Sequence, residues 1–195
     1  MTTETLTAEQ ILNAAEEVLR RFGPRKTTVV DVARQLDVSH GTVYRHFASK
    51  AALREAVTAR WLHRISAPLA EIADQDEPAP DRLRRWLLAL AAAKRKKVSQ
   101  DAEIFAAYLA LAEDAVAAAR AHVAHLIAQV AGIIADGMAA GEFAAGDPEA
   151  AAKTVFDATA RFHHPVHHRQ WSDPGEDQAL DRVCTLVMAG LRAGL

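Results

Sequence analysis

Apolar residues recur at helical spacing along almost the whole chain. The first such stripe consists of Ile11, Ala15, Val18, Leu19 and Phe22. Thr7 and Gln10 form a capping box just before it, and Gly23-Pro24 stands where a helix would end. The pattern therefore predicts a first helix from about residue 8 to Gly23.

Two short helices separated by a tight turn are predicted next. Thr28 begins the first, and Ser39 caps the second, which runs to about Phe47. Ala33 is small where the two helices would cross. Five apolar residues can close a small core between them, namely Val32, Leu36, Val38, Val43 and Phe47. Short helices crossing at a steep angle across a turn of about three residues define a helix-turn-helix.

The remainder is also helical. A long helix is expected over 50–72, followed by helices over 81–97, 100–112, 114–139, 147–169 and 174–193. Asp147-Pro148 and Asp173-Pro174 each combine an N-cap with proline at the first helical position. Because no alternating strand pattern occurs, the fold class is all-α, with about nine helices.

Composition limits the cellular setting. The chain has 195 residues, 50% of them hydrophobic, and a single cysteine, Cys184, which excludes an intrachain disulfide. The longest apolar run, 115–135, is interrupted by Arg120, His122, His125 and Gln129, so no membrane span is expected. We expect a cytoplasmic protein that has no membrane partner.

Charge is unevenly distributed although the net charge is only −2. Residues 1–64 contain 10 Lys/Arg and 7 Asp/Glu, whereas the remaining residues contain 13 and 18. The second helix of the helix-turn-helix would expose hydrogen-bonding side chains, namely His40, Thr42, Tyr44, Arg45 and His46. A polar helix face of this kind suits the major groove of DNA.

The stretch from Thr27 to Lys50, TTVVDVARQLDVSHGTVYRHFASK, resembles the DNA-binding part of the tetracycline-repressor (TetR) family of bacterial regulators. The family pattern reads T-T-x-x-x-[IV]-A-x-x-x-G-V-[ST]-x-x-[TS]-[LV]-Y-x-[HY]-F-x-x-K-x-x-L. It is matched by Thr27, Thr28, Val32, Ala33, Val38, Ser39, Thr42, Val43, Tyr44, His46, Phe47, Lys50 and Leu53. Asp37 departs from it, because the family has glycine in this turn.

The resemblance implies a role for each residue of the motif. Thr28, at a helix N-terminus, would hold a phosphate, as would Tyr44, His46 and Lys50. His40, Gly41 and Thr42 would approach base edges, and Arg45 could serve either purpose. The expected DNA-binding residues are Thr27, Thr28, Ser39, His40, Gly41, Thr42, Tyr44, Arg45, His46 and Lys50.

The resemblance also implies a domain division and a function. Residues 1–50 would form the helix-turn-helix domain, and residues 51–195 a helical-bundle domain for ligand binding and dimerisation. The last two helices would build a homodimer that binds a palindromic double-stranded operator. A small-molecule effector would release it from a pocket lined by Trp86, Phe105, Tyr108, Phe156, Phe162 and His163. On this interpretation the chain is a repressor, without a cofactor and not an enzyme.

The main alternative depends on the cluster His163-His164-Pro165-Val166-His167-His168. On a helix, His163 and His167 would share a face, as would His164 and His168, and such pairs can bind Zn²⁺. A helical metal sensor or metalloenzyme is therefore the second hypothesis, although Pro165 interrupts the helix. A third is an adaptor whose helix-turn-helix docks on protein.

The basic run Lys94-Arg95-Lys96-Lys97 is interpreted as a helix C-terminal, solvated face. A contact with an anionic effector or with DNA is the secondary interpretation.

Overall fold

The structure, a computed structural model, describes residues 6–100, 105, 109–110 and 115–194. The α-helices bounded within this part are α1 Ala8–Lys26, α2 Val29–Gln35, α3 His40–His46, α4 Lys50–Ala73, α5 Ala79–Gln100, α6 Val116–Ala139, α7 Pro148–Ala158 and α8 Glu176–Ala193. Two 3₁₀ helices, Ala160–Phe162 and Pro165–Gln170, lie between α7 and α8. None of the described residues is in a strand, so the all-α prediction is confirmed. The expected helix over 100–112 lies mostly outside the described residues.

The predicted caps account for the first helices. Thr7 and Gln10 form the capping box of α1, with the Gln10 backbone N–H donating to the Thr7 hydroxyl at 3.2 Å. At Gly23 the backbone leaves the helical region, with φ of 75°, so the helix is kinked at the predicted end. Thr28 caps α2 and Ser39 caps α3, also as predicted.

The expected helix over 147–169 is wrong in its second half. Asp147 caps α7, as predicted, but the helix ends at Ala158. Pro165 lacks a backbone N–H and restricts His164 before it to an extended conformation, with ψ of 126°. The chain therefore continues as two 3₁₀ helices. The expected Asp173 cap is also wrong, because α8 begins after Gly175, whose φ is 88°.

The chain divides into two compact units. Within the described part, the first unit contains residues 6–62, 105, 109–110 and 115–121, and the second contains residues 63–100 and 122–194. In the first unit α2 packs against both α1 and α3. The core of this unit is formed by apolar residues of these helices and of α4, including Ile11, Val18, Val32, Val43, Leu53 and Val57.

In the second unit α5 and α7 both pack against α8. The inward stripe of α5 is formed by Leu83, Trp86, Leu87 and Leu90. The other helices of the unit also contribute buried residues, namely Leu126, Val130, Ile133 and Ile134 of α6, Val155 and Phe156 of α7, and Leu180, Cys184 and Met188 of α8.

Helix α6 is long enough and apolar enough to span a membrane by length and composition, with a mean hydropathy of 1.3 over its most apolar window. The core helices of many proteins that have no membrane segment meet the same criterion. Within this helix, Gln129 accepts a hydrogen bond from Trp86 Nε1 at 2.8 Å.

Candidate nucleic-acid interface

Packing of α3 determines which of its side chains face solvent. Val43 is fully buried, and α3 packs against α2, where Val32 and Ala33 are also buried. The opposite side of α3 is therefore presented to solvent. His40, Gly41, Tyr44, Arg45 and His46 are all exposed there, and Tyr44 is 42% exposed.

The first turn of α3 is organised by its own side chains. The Thr42 backbone N–H donates to Ser39 Oγ at 3.3 Å, and the two hydroxyl oxygens lie 3.0 Å apart. Arg45 Nη2 donates to Thr42 Oγ1 at 3.3 Å. The rings of His40 and Tyr44 meet edge to face at a centroid distance of 6.3 Å. The surface is therefore a connected set of polar and aromatic groups.

The turn before α3 accommodates the departure from the family pattern. Asp37 has a φ of 53° and is the non-glycine residue with positive φ among the described residues. Asp tolerates this left-handed conformation better than most residues because its short side chain can hydrogen-bond locally. The turn thus keeps the backbone conformation that glycine would provide.

Three of the expected DNA-binding residues lie together. Thr27, Thr28 and Lys50 line one shallow crevice. However, the Thr28 hydroxyl and backbone N–H both donate to the Asp31 carboxylate, and the Thr27 hydroxyl donates to the Gly23 carbonyl. Hydrogen bonding to Thr28 lowers the pKa of Asp31, so this carboxylate is charged. The Thr28 hydroxyl is therefore already hydrogen-bonded within the chain, and Lys50 and Arg54 supply positive charge at this crevice.

Gly41 is not required by packing against any of the described residues. A Cβ atom built on it would meet only Ser39 Oγ, at an ordinary 3.7 Å. Glycine is less favourable than alanine within a helix by roughly 0.5–1 kcal/mol. Its presence on the exposed face of α3 is therefore not explained by the internal packing of the first unit.

The residues expected to line one effector pocket do not all lie in the same unit. Trp86, Phe156, Phe162 and His163 are all buried in the second unit, and the Phe156 and His163 rings lie 4.3 Å apart. Phe105 instead contacts Trp61 in the first unit, at a ring distance of 6.5 Å. Tyr108 lies outside the described residues.

The four clustered histidines do not adopt the arrangement that the metal hypothesis requires. Because the helix ends at Ala158, the shared faces expected for His163 with His167 and for His164 with His168 do not form. His163 is buried, with Nε2 3.2 Å from the Phe156 carbonyl oxygen, whereas His168 Nδ1 contacts the Pro165 carbonyl oxygen. Among the described residues no group of three or more His, Cys, Asp or Glu is placed to hold a metal ion.

The solvated interpretation of the basic run is wrong for Lys94. Helix α5 continues to Gln100, so the run lies within the helix, and Lys94 is only 6% exposed. His122, one of the polar residues that interrupt the apolar run 115–135, is also buried and 8% exposed. A signal was present for both residues: each continues the apolar stripe of its helix at helical spacing.

Two family models match the chain. The model of the N-terminal part, described as bacterial regulatory proteins of the tetR family, matches residues 11–57. The tetracyclin repressor-like C-terminal domain matches residues 79–184, which is more than half of the chain.

Individual proteins agree with these matches. The HTH-type transcriptional repressor Rv3405c of Mycobacterium tuberculosis is 35% identical over 72 residues, 37% of this chain and 36% of that protein. The curated relatives are thus matched over little more than a third of their own length. The crystal structure of a bacterial regulatory protein in the tetR family from Rhodococcus RHA1 has 26% identity and a TM-score of 0.58, with 94% and 96% of the two chains covered.

The Bacillus subtilis transcriptional regulator FadR, solved in complex with stearoyl-CoA, has the same fold at 17% identity and a TM-score of 0.58, with 97% and 100% of the two chains covered. The family models thus match both parts of the sequence. Three structural features agree with this match, namely the exposed α3 face, the left-handed turn at Asp37 and the helical second unit. The chain belongs to the tetracycline-repressor (TetR) family of bacterial regulatory proteins.

Proposed function

We propose that this chain is a transcriptional repressor that binds an operator in double-stranded DNA as a homodimer and is released by a small-molecule effector. The observation that carries the proposal is the exposed face of α3, where polar and aromatic groups surround a helix anchored from behind by Val43. Such a helix can enter the major groove without disturbing the core of its own unit.

Different parts of this surface would have different roles. Tyr44, His46 and Lys50 would contact phosphates and set the position of the helix on the duplex. His40, Gly41 and Thr42 would approach base edges, where the Thr42 methyl group can meet a thymine methyl. The Arg45 guanidinium, held beside Thr42, would serve either type of contact.

Helix α8 offers the surface for dimerisation. Leu180, Cys184, Met188 and Leu191 are buried on its inner side, whereas Leu186 is 72% exposed. Val183, Leu186, Val187 and Gly190 share an outer face at helical spacing. Burying this face against a second copy would remove apolar surface from water and present two α3 helices to successive half-sites about 34–36 Å apart on DNA.

The second unit would hold the effector. Its interior contains Trp86, Phe156, Phe162 and His163, and the FadR neighbour was solved with stearoyl-CoA bound. A ligand that binds one arrangement of the dimer more tightly than another would shift the population away from the DNA-binding form. A regulator of this type works in the cytoplasm, where its operator lies.

The test is fluorescence anisotropy with a labelled duplex from the region upstream of the gene that encodes this chain. We expect salt-sensitive binding that weakens about tenfold or more in Tyr44→Ala and in Lys50→Ala, with a salt slope reduced by about 1 for Lys50→Ala. Lys96→Ala, which removes an exposed lysine from α5, is the matched control. Unchanged affinity in both interface variants would refute the proposal.

A further inference from the structure

Lys94 is buried in the second unit at a position that the helix pattern reserves for apolar residues. It continues the inward stripe of α5 through Leu83, Leu87 and Leu90, at spacings of four, three and four residues, and is 6% exposed. The next residue, Arg95, points elsewhere and pairs with Asp177 at 2.6 Å. Withdrawing an ammonium group from water is unfavourable unless an anion compensates for it.

No such anion is found among the described residues. The structure shows neither a hydrogen bond nor an ion pair between Lys94 and any of them, although other basic residues of the unit have acidic partners, as in Arg82–Asp136 and Arg161–Glu176. Burial lowers the pKa of Lys94 to about 8, so the side chain is still mostly protonated at neutral pH. Among the described residues, the positive charge of Lys94 therefore has no compensating anion.

Among the described residues, the groups whose pKa the charge of Lys94 lowers are imidazoles. Burial, followed by the charge of Lys94, lowers the pKa of His122 on α6 to about 3. Burial also lowers the pKa of His163 to about 4; the hydrogen bond to Phe156 opposes this shift, and Lys94 adds to it. The pKa of the more exposed His164 is lowered by burial, by His167 and by Lys94. Both buried imidazoles are thus neutral at pH 7, and an imidazole has no negatively charged form at this pH that could compensate the lysine.

His122 has an unmet hydrogen-bonding group of its own. Its Nε2 is buried and has no hydrogen-bond partner among the described residues. The residue occupies the first position of the buried α6 stripe, before Leu126 and Val130. His163, in contrast, is satisfied, since its Nε2 contacts the Thr159 hydroxyl and the Phe156 carbonyl oxygen. Among the described residues, Lys94 therefore has no acidic partner and the buried His122 Nε2 has no hydrogen-bond partner, and, in addition to burial, the charge of Lys94 acts on His122 strongly enough to lower its pKa.

We propose that Lys94 and His122 form a binding site for the carboxylate group of a small monoanionic ligand whose remaining part is apolar. One oxygen of the carboxylate would accept from the Lys94 ammonium and the other from the His122 Nε2–H. The ligand carries a single charge, because the other buried cation among the described residues, Arg82, already pairs with Asp136. Its remainder is apolar because Leu90, Leu126 and Phe156 are the buried neighbours along the three elements. The claim that this ligand is the effector rests on the proposed function.

The test is isothermal titration calorimetry on the full chain without DNA. Benzoate and octanoate are compared with benzamide and octanamide, which keep the shape of each acid but remove its charge. We expect at least one of the two acids to bind roughly ten- to a hundredfold more tightly than its amide. Equal affinities within both pairs, or binding of chloride as tight as that of the acids, would overturn the proposal.

Two substitutions locate the site. Lys94→Met keeps the length of the side chain and removes the charge, so we expect it to raise the melting temperature and to abolish the preference for the acid over the amide. His122→Gln should weaken binding of the acid while the fold is retained, as checked by circular dichroism. Lys96→Met, an exposed lysine on the same helix, is the matched control and should bind like the parent chain. A preference that persists in Lys94→Met would overturn the proposal.

The DNA assay separates this proposal from the proposed function. Release of the upstream duplex by the acid in the parent chain, and not in Lys94→Met, would support both. Binding of the acid by a chain that does not bind the duplex would refute the repressor and leave the carboxylate site standing. Binding of the duplex by a chain that binds none of the acids would refute only the carboxylate site.

Discussion

The two units of this chain use basic side chains in opposite ways. In the first unit, His40, Arg45, His46 and Lys50 all lie in solvent around the α3 surface. In the second unit, Lys94, His122 and His163 are buried. An exposed cation keeps its hydration and can meet a polyanion that arrives from outside. A buried cation has lost its hydration already, so the chain favours a ligand that supplies the missing anion.

This difference concerns energy as well as location. Exposed charges contribute little to folding, so the α3 surface can be changed with small effects on stability and large effects on binding. Buried ionisable groups change stability directly, because each unit of pKa shift corresponds to about 1.4 kcal/mol. Four predictions test this contrast, beginning with the largest expected effect.

The largest effect is expected for the buried histidines in acid. The pKa of His122 is lowered from 6.5 to about 3 and that of His163 to about 4. Between pH 6.5 and 4 the unfolded chain binds these protons and the folded chain does not, so stability falls as pH falls. Each group contributes about 3 kcal/mol over this window. The free energy of unfolding, measured with urea at a series of pH values, should fall much less below pH 6.5 in the double variant His122→Gln/His163→Gln than in the parent chain. The exposed control His63→Gln should show the same pH dependence as the parent chain.

The second effect is expected for Lys94 in base. Its pKa falls from 10.5 to about 8 on folding, so between these values the unfolded chain holds the proton that the folded chain has lost. Stability of the parent chain should therefore rise from pH 8 to 10.5. Lys94→Met should be more stable at pH 7 by about 3 kcal/mol, and this advantage should shrink across the same window. A Lys94→Met chain less stable than the parent at pH 7 would contradict this account of the buried charge.

The third effect concerns the outer face of α8. Replacing Leu186 by Glu places a charge in the proposed dimer interface, and we expect dimerisation to weaken by about 2 kcal/mol or more. Sedimentation velocity at micromolar concentration should then show more of the 21.1 kDa monomer. Thr185→Glu, an exposed position on another side of the helix, should leave the association unchanged. Leu186 is on the surface of the monomer, so the fold of each chain should be retained.

The smallest effect is expected for Gly41→Ala. The added methyl group meets only Ser39 Oγ at 3.7 Å and replaces the residue with the highest conformational freedom. The first unit should gain about 0.5–1 kcal/mol of stability, measured by urea unfolding. Binding of the upstream duplex should weaken in the same variant, because the methyl group stands where the helix approaches the bases. If the variant is more stable but binds the duplex as tightly as the parent chain, Gly41 is not part of the DNA interface.

Local chemistry made the first unit predictable. The caps at Thr7, Thr28 and Ser39 bond to groups three residues away, so the sequence contains both partners of each bond. The left-handed turn at Asp37 likewise depends on one residue and its neighbours. The motif alone did not show that phosphate and Asp31 would compete for the same donor. The Thr28 hydroxyl, which could bind phosphate, donates to the Asp31 carboxylate.

The second unit was less predictable because its site depends on contacts between distant segments. Periodicity predicted a helix through the histidine cluster. The α-helix instead ends at Ala158, and the chain continues as two short 3₁₀ helices, the second of which begins at Pro165. The basic run was assigned to a solvated helix C-terminus, although the position of Lys94 on the α5 stripe favours burial. The surroundings of Lys94 come from α6 and the 3₁₀ region, far away in sequence, and spacing along one helix does not specify them.

By itself, the sequence determined that this chain is helical, that a helix-turn-helix lies near its start and that its family is that of the tetracycline repressor. Those properties depend on side-chain periodicity and on bonds between near neighbours. Only the tertiary structure decided which basic residues remain in water and which do not. Burial is a property of the whole packed unit, because a lysine loses its hydration only when segments far apart in sequence close around it.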